Sequence, residues 1–374
     1  MGRSILALAL FGISSFAQGT LTPIAGKDFV FPRQGGPALQ MPLGRIISVA
    51  ADVQGNIYAL DEGNRVVVKI TPAGALSVVA GNGQSGNATE GAPALSSPLS
   101  FPSFIGVDGA GHLYISEGQR IAVVDSSGAL RTAVSFQNGG SAPGSFYVDA
   151  SGAVYAATGP NQANGQNCVV IRYGPSGATV VAGNGTCAYA SDGSPATSIS
   201  LWNPGGVTMD SAGNLYIGDG VGIRKVDPSG RLTTIAQNQP IRGFLAFDAS
   251  GNFYSTGLFH EVVKFDSKGV LTTIAGGRNP GFAGDGGPAD SALLFSPQQV
   301  VLDAAGNLYV ADSDNYRVRR IRLGATPTIE TVAGNGRYRS DGDGGAATDA
   351  SLFGPFSMLA DRSEERRVGK ECRL

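Results

Sequence analysis

Charge is scarce in this chain. Only 15% of its 374 residues are Asp, Glu, Lys or Arg, against about a quarter in ordinary soluble domains. With 42% hydrophobic residues a large core can be buried, which excludes wholesale disorder. Histidine is scarcer still, with His112 and His260 as the whole supply. Two histidines on different repeats cannot build a His-rich zinc site. Gly-x-Ser-x-Gly is absent as a strand-to-helix elbow, so a hydrolase triad has no support. Beyond the first residues, no segment approaches the ~18 consecutive apolar residues of a membrane-spanning helix. What abounds is glycine, at 56 residues, about twice ordinary usage. That composition predicts many tight turns, little helix and an all-β chain.

The two ends differ from the body. Met1-Gly-Arg-Ser, an apolar run from Ile5 to Ile13 and then Ser15-Phe16-Ala17 predict a secretory signal over residues 1–17. No Cys follows it, so nothing suggests a lipid anchor. The chain is therefore expected to be secreted or periplasmic. From Arg362 the string Arg-Ser-Glu-Glu-Arg-Arg-Val-Gly-Lys-Glu-Cys breaks sharply from the Gly-rich body. It resembles the in-frame translation of a common sequencing adapter. On that reading residues 362–374 are an artefact, and 18–361 are one C-terminally truncated domain. Without residues 1–17 and 362–374 the chain keeps 21 basic and 26 acidic side chains, a net charge of −5. An acidic protein is a poor candidate for nucleic-acid or anionic-membrane binding. Two cysteines remain, Cys168 and Cys187, an even count that favours one disulfide in an oxidising compartment.

One pattern recurs along the body. It runs Pro, an apolar stretch, Asp, two or three residues, Gly-Asn, an apolar residue and Tyr. Its clearest copy is Pro297 to Asp312, with Asp303, Gly306, Asn307 and Tyr309 in place. Other copies centre on Gly55, Gly111, Gly152, Gly213 and Gly251, so successive glycines are 56, 41, 61, 38 and 55 residues apart. Each unit reads as four short strands. In the last unit these are Val300–Leu302, a turn at Asp303–Asn307, Leu308–Ala311, Tyr316–Arg322 and Thr328–Ala333. Four antiparallel strands repeated every 40 to 60 residues predict a β-propeller.

These residues resemble the NHL-repeat family of β-propellers, from Leu21 to Asp361. The likeness rests on Gly-Asn-Leu-Tyr-Val-Ala-Asp, on Val-Ala-Gly-Asn-Gly, and on Gly284-Asp-Gly-Gly-Pro-Ala289 with weaker copies at Gly35–Ala38 and Asp343–Ala347. Blades two and four depart from it, being followed by short connections without that loop. Leu21–Gly26 matches the last strand of a blade, and Pro355–Asp361 matches a first strand. The fold expectation is therefore six complete repeats plus a seventh shared between the termini and truncated. A turn near Gly174–Gly177 sets Cys168 opposite roughly Asn184, which brings Cys187 within disulfide reach.

Candidate site residues follow from the register of the repeat. Asp61, Glu117, Asp219 and Asp312 each stand three residues after the motif Tyr, while the third repeat has Thr158 there. Carboxylates around a channel mouth can attract Ca²⁺ or a cationic ligand, or each can cap its own loop. Asp285 and Asp341 lie in Gly- and Asp-rich loops reaching the same face. Trp202, Phe295 and Phe353 stand just before a blade-opening Pro, where they either line a binding rim or pack between blades. Arg317, Arg319, Arg320 and Arg322 read as a solvated basic strand face. NHL-type lyases depend on metals and histidines that are missing here. The function expected is thus a non-catalytic binding or scaffold propeller, with no catalytic residue, no resident metal and no required cofactor. Its partner would be an extracellular protein, peptide or glycan. The alternative is a metal-assisted lyase or hydrolase using the acidic set.

Overall fold

A computed structural model describes residues 31–337, apart from 33, 137–141, 160–167, 211, 221, 238–244, 249, 258 and 267–269, together with two short strands at 358–360 and 366–368. Residues 31–337 form six antiparallel blades in a ring, each of four strands, with Gly36–Pro37 added as a fifth at the outer edge of blade one. The inner strands are Ile46–Ala51, Phe104–Val107, Phe146–Val148, Val207–Met209, Ala246–Phe247 and Pro297–Leu302. Each blade then runs outward through three more strands in sequence order. In blade six these are Asn307–Asp312, Arg317–Arg322 and Thr328–Ala333, within a residue or two of the boundaries the sequence predicts.

The motif is explained at the turn between the first two strands. In blade one, Asp52 Oδ1 accepts the N–H groups of Gln54 and Asn56, at 3.0 and 2.9 Å. Its Oδ2 accepts the Asn56 amide at 2.7 Å and the Tyr58 hydroxyl at 3.2 Å. One carboxylate thus gathers Asn and Tyr, while glycine supplies the positive φ of the turn. Asp210 and Asp248 repeat the arrangement with Asn214, Tyr216, Asn252 and Tyr254. Burial first, then the adjacent Asp52 charge and hydrogen bond, push the Tyr58 hydroxyl up to about 12, so it is a standing donor.

Because both faces of each sheet meet a neighbour, the second strands are buried along their length; all of Ile57–Asp61 is. Apolar clusters span blades one and two, two and three, three and four, four and five, and five and six. Each fully buried Leu, Ile or Val there contributes roughly 1.5–3 kcal/mol. Side chains also bond one blade to the backbone of the next. Ser48 Oγ accepts the Ile105 N–H at 3.0 Å, Ser116 and Ser145 donate to the Pro143 and Gly205 carbonyls at 2.6 Å, and Thr256 donates to Gln298 O at 3.4 Å.

The ring closes on six blades. Blade six meets blade one directly: Gln299 Oε1 accepts the Val49 N–H at 2.9 Å, and the Ser313 hydroxyl donates to the Ile46 carbonyl. The segment before blade one completes the join. Gly334 N–H donates to Ala38 O at 2.9 Å, and Asn335 Nδ2 donates to Gln40 O at 3.0 Å. The same bonds tie Gly81 to Ala94 and Asn82 to Ser96 elsewhere in the ring. Gly334 must be glycine: φ is +88°, and a Cβ would lie 2.2 Å from the Tyr316 carbonyl. No gap is left between these two blades for the seventh, shared blade expected from the terminal fragments. Leu21–Gly26, like the expected signal over 1–17, lies outside the described residues. Within the other expected first strand, Met358–Ala360 pairs antiparallel with Arg366–Val368. Cys168 and Cys187 form the predicted disulfide, Cα atoms 5.2 Å apart.

Candidate functional site

Long loops precede blades one, two, four and six and carry a short 3-10 turn each, at Ala38–Gln40, Ala94–Ser96, Ala196–Ser198 and Ala289–Ser291. The acidic set belongs to those same four blades. Asp61 accepts the N–H of Gly44 at 2.7 Å, Glu117 that of Ser100 at 3.0 Å, Asp219 that of Trp202 at 3.5 Å and Asp312 that of Phe295 at 2.8 Å. The separation is 17 residues every time. Each carboxylate therefore clamps the last turn of the loop that leads into its own blade.

Each carboxylate accepts further bonds, on its other oxygen in Glu117 and Asp312 and on the same oxygen in Asp61 and Asp219. Asp61 and Asp312 receive the amides of Asn64 and Asn315 at 2.8 and 2.9 Å. Glu117, Asp219 and Asp312 receive Arg120, Arg224 and Arg319, at 2.6, 3.4 and 3.2 Å. All four carboxylate side chains are buried. Burial pushes the Asp312 carboxyl up to about 6, against the hydrogen bonds from Phe295, Asn315 and Arg319. Among the described residues, no three His, Cys, Asp or Glu side chains come together to hold a metal ion. The expected acidic ring at the channel mouth is thus four separate loop clamps.

The basic strip is corrected too. Arg319 is fully buried, as is Arg224 in blade four. Strand alternation turns Arg319 inward, where it spans Asp312 and Asp285, the latter at 2.7 Å. Asp285 also accepts the Thr331 hydroxyl at 2.7 Å. Asp192 with Thr234 and Arg224, and Glu90 with Thr132 and Arg120, repeat this in blades four and two. Asp285 is accordingly a second loop clamp, partly exposed. Asp341 and Phe353 lie outside the described residues.

What the clamps hold is a rim of aromatic side chains. Phe101 is 80% exposed, Trp202 52% and Phe295 37%; none of the three is packed away between blades. Phe282 and Phe259 are exposed nearby, under the guanidinium groups of Arg317 at 3.8 Å and Arg278 at 4.8 Å. The backbone beside the rim is strained. Phe101, Asn203 and Ser296 have φ of +47°, +51° and +49°, each directly before a proline. Left-handed non-glycine residues cost roughly 1–2 kcal/mol each, and buried anchors maintain them. Composition flags Trp202 and Phe295, but not Phe101 or the arginine pairing. The constant 17-residue offset leads from Glu117 to Ser100, next to Phe101, whereas the arginines stand 3, 5 and 7 residues from their carboxylates and share no such spacing. Below the rim, the inner strands enclose a channel of about 260 Å³. Its lining includes Ala51, Val107, Met209 and Phe247, with no charged side chain among the described residues.

Six blades around a channel define a β-propeller. A family model described as the teneurin NHL domain matches residues 166–254, from blade three into blade five. Teneurin-m of Drosophila melanogaster is 28% identical over 174 residues, covering 39% of this chain and 6% of that protein. Teneurin-3 of Mus musculus is 29% identical over 227 residues, 49% of this chain and 8% of that protein. The chain thus spans less than a tenth of these relatives. Among solved structures, a protein of unknown function from Bacteroides thetaiotaomicron superposes with a TM-score of 0.56 at 15% identity, over 83% of this chain and 75% of that one. An auxiliary nutrient binding protein from the same organism gives 0.55 at 16%, over 82% and 75%. At such identity these two establish the fold alone. The repeat motif, the six blades and the family match together fit an NHL-repeat β-propeller.

Proposed function

We propose that this propeller is a secreted or periplasmic, non-catalytic binding or scaffold module. It recognises an extracellular protein, peptide or glycan through its loop-bearing face. The carrying observation is the aromatic rim: Phe101, Trp202 and Phe295 stand exposed on a rigid ring, over loops locked by Glu117, Asp219 and Asp312. Exposed aromatic and arginine side chains are what binding hot spots are made of. A preorganised rim also saves the ordering cost of loops at an interface. Trp202 makes contact in this reading, while Asp61, Glu117, Asp219, Asp312 and Asp285 act beneath it as positioning residues. Secretion is supported by the disulfide, which persists in oxidising compartments; no helix among the described residues is long and apolar enough to cross a membrane.

The test compares wild type with a Phe101→Ala, Trp202→Ala, Phe295→Ala triple variant on a glycan array and a displayed peptide library. Every reproducible wild-type hit should weaken at least tenfold in the variant. Melting temperatures should agree closely, since exposed side chains contribute little to stability. Hits retained by a folded triple variant would move the binding face elsewhere.

A further inference from the structure

His260 opens the third strand of blade five, yet its hydrogen bond goes to blade six. Its Nδ1 faces the backbone N–H of Ser296 at 3.0 Å. An N–H can only donate, so Nδ1 is the acceptor and the ring is neutral with its proton on Nε2. The imidazole also meets the Phe295 ring edge-on, centroids 5.4 Å apart. Ser296 is the left-handed residue before Pro297, and Phe295 is the rim aromatic. Two successive N–H groups of this rim segment thus have side-chain acceptors, Asp312 for Phe295 and His260 for Ser296.

An imidazolium has two donors and no acceptor. Protonation of His260 therefore converts this hydrogen bond into two N–H groups facing each other across 3.0 Å. The charged groups around it do not offset that change. The carboxylate of the adjacent Glu261 accepts the Thr273 hydroxyl at 3.1 Å. Arg278 stacks on neighbouring Phe259 and adds positive charge. Asp312 is tied up with Arg319, Asn315 and the Phe295 N–H. His112, the other histidine, has the opposite geometry: its Nδ1 faces the Asp108 carboxylate at 2.9 Å, which a protonated ring retains.

We propose that His260 is a proton-sensitive latch on the aromatic rim, which fixes Phe295–Ser296 while neutral and releases it when protonated. Acidic surroundings that protonate the ring therefore loosen the rim. If the rim is the binding face proposed above, bound partners are let go there. That consequence rests on the functional reading, whereas the latch itself does not.

The test needs no partner. Amide hydrogen exchange of Ser296 is measured at pH 7.5 and 5.5 and normalised to the intrinsic rate at each pH. Wild type should lose at least tenfold protection on acidification. His260→Gln, whose Oε1 can accept the same N–H without titrating, should lose little; His112→Gln should behave as wild type. Because Asp312 also titrates near this interval, the His260→Gln comparison separates the two acceptors. Equal protection of wild-type Ser296 at both pH values would overturn the latch, as would an equal loss in His260→Gln. Neither result depends on any ligand, so failure of the latch and failure of the binding reading are told apart.

Discussion

Blades six and five differ at one position, and the difference explains the acidic set. Both place a residue three beyond the motif tyrosine. In blade six it is Asp312, fully buried and bonded to Phe295, Asn315 and Arg319. In blade five it is Gly257, and in blade three Thr158, whose hydroxyl reaches, among the described residues, the Val169 backbone across its own sheet, at 3.3–3.4 Å. Blades three and five follow short connections; blades one, two, four and six follow loops with a 3-10 turn. A carboxylate therefore appears where a long loop must be held, and is absent where none arrives. A ligand site shared around the channel would not track loop length in this way. Phe101, Trp202 and Phe295 stand before three of these four blades, two, four and six.

The largest effect should come from breaking the clamp on one side of this comparison. Asp312→Ala leaves the Phe295 N–H without its acceptor and Arg319 buried with only Asp285 as an acidic partner. Removing one member of a buried pair costs about 3–5 kcal/mol. Thr158→Ala removes one neutral, poorly aligned hydroxyl contact and should cost under about 1 kcal/mol. Urea unfolding of both variants measures the contrast. Equal losses would mean that the clamp has no special role.

A disulfide supplies the tether at the other side. Blade three lacks a carboxylate clamp, but Cys168 at the head of its third strand holds Cys187 in the loop leading to blade four. The bridge closes a separation of 19 residues, for which chain entropy suggests about 3 kcal/mol. Cys168→Ser with Cys187→Ser should lower the unfolding free energy by that amount. Limited proteolysis should then cut first between residues 183 and 206, not in the loop before blade six. Cleavage at both loops alike would show that the bridge and the clamp are not local devices.

How much of this was legible follows from how far apart the interacting groups lie. The turn motif needs only Asp52, Asn56 and Tyr58, all within seven residues, so the repeat, the strands and the propeller could be read from spacing. The disulfide followed from antiparallel register over one hairpin. Blade number did not follow. Ring closure joins residues such as Gln40 and Asn335, 295 apart, and the terminal fragments resemble a blade that the ring has no room for. The spacing singles out the four carboxylates, but burial decides whether a carboxylate faces a ligand or a backbone N–H, and burial is set by the arriving loop. Arg319 shows the same limit. A run of arginines looks solvated until strand alternation puts one of them between Asp312 and Asp285. His260 offered no local sign, since its partner Ser296 is 36 residues away on the next blade.

The smallest effect is one of sign, and it sets the clamp against the turn carboxylates. At the turns, burial raises the carboxyls of Asp149, Asp210 and Asp248, but hydrogen bonds led by Ser151, Asn214 and Asn252 outweigh it and hold them low. Such groups stabilise the fold above their unfolded pKa, and that stability is lost as pH falls through the folded value. Asp312 runs the other way. Its folded carboxyl is pushed from 3.8 to about 6, so between these values the folded state binds more protons than the unfolded chain. Its contribution is complete below about pH 4 and lost as pH rises through about 6, a change on the order of 2 kcal/mol. Asp312→Asn cannot titrate. The stability of wild type relative to this variant should therefore be greater at pH 4.5 than at pH 7, measured by urea unfolding at each pH. A difference that grows with pH instead would place the Asp312 carboxylate among the groups stabilised by ionisation. Hydrogen bonding would then dominate burial at the clamp as it does at the turns.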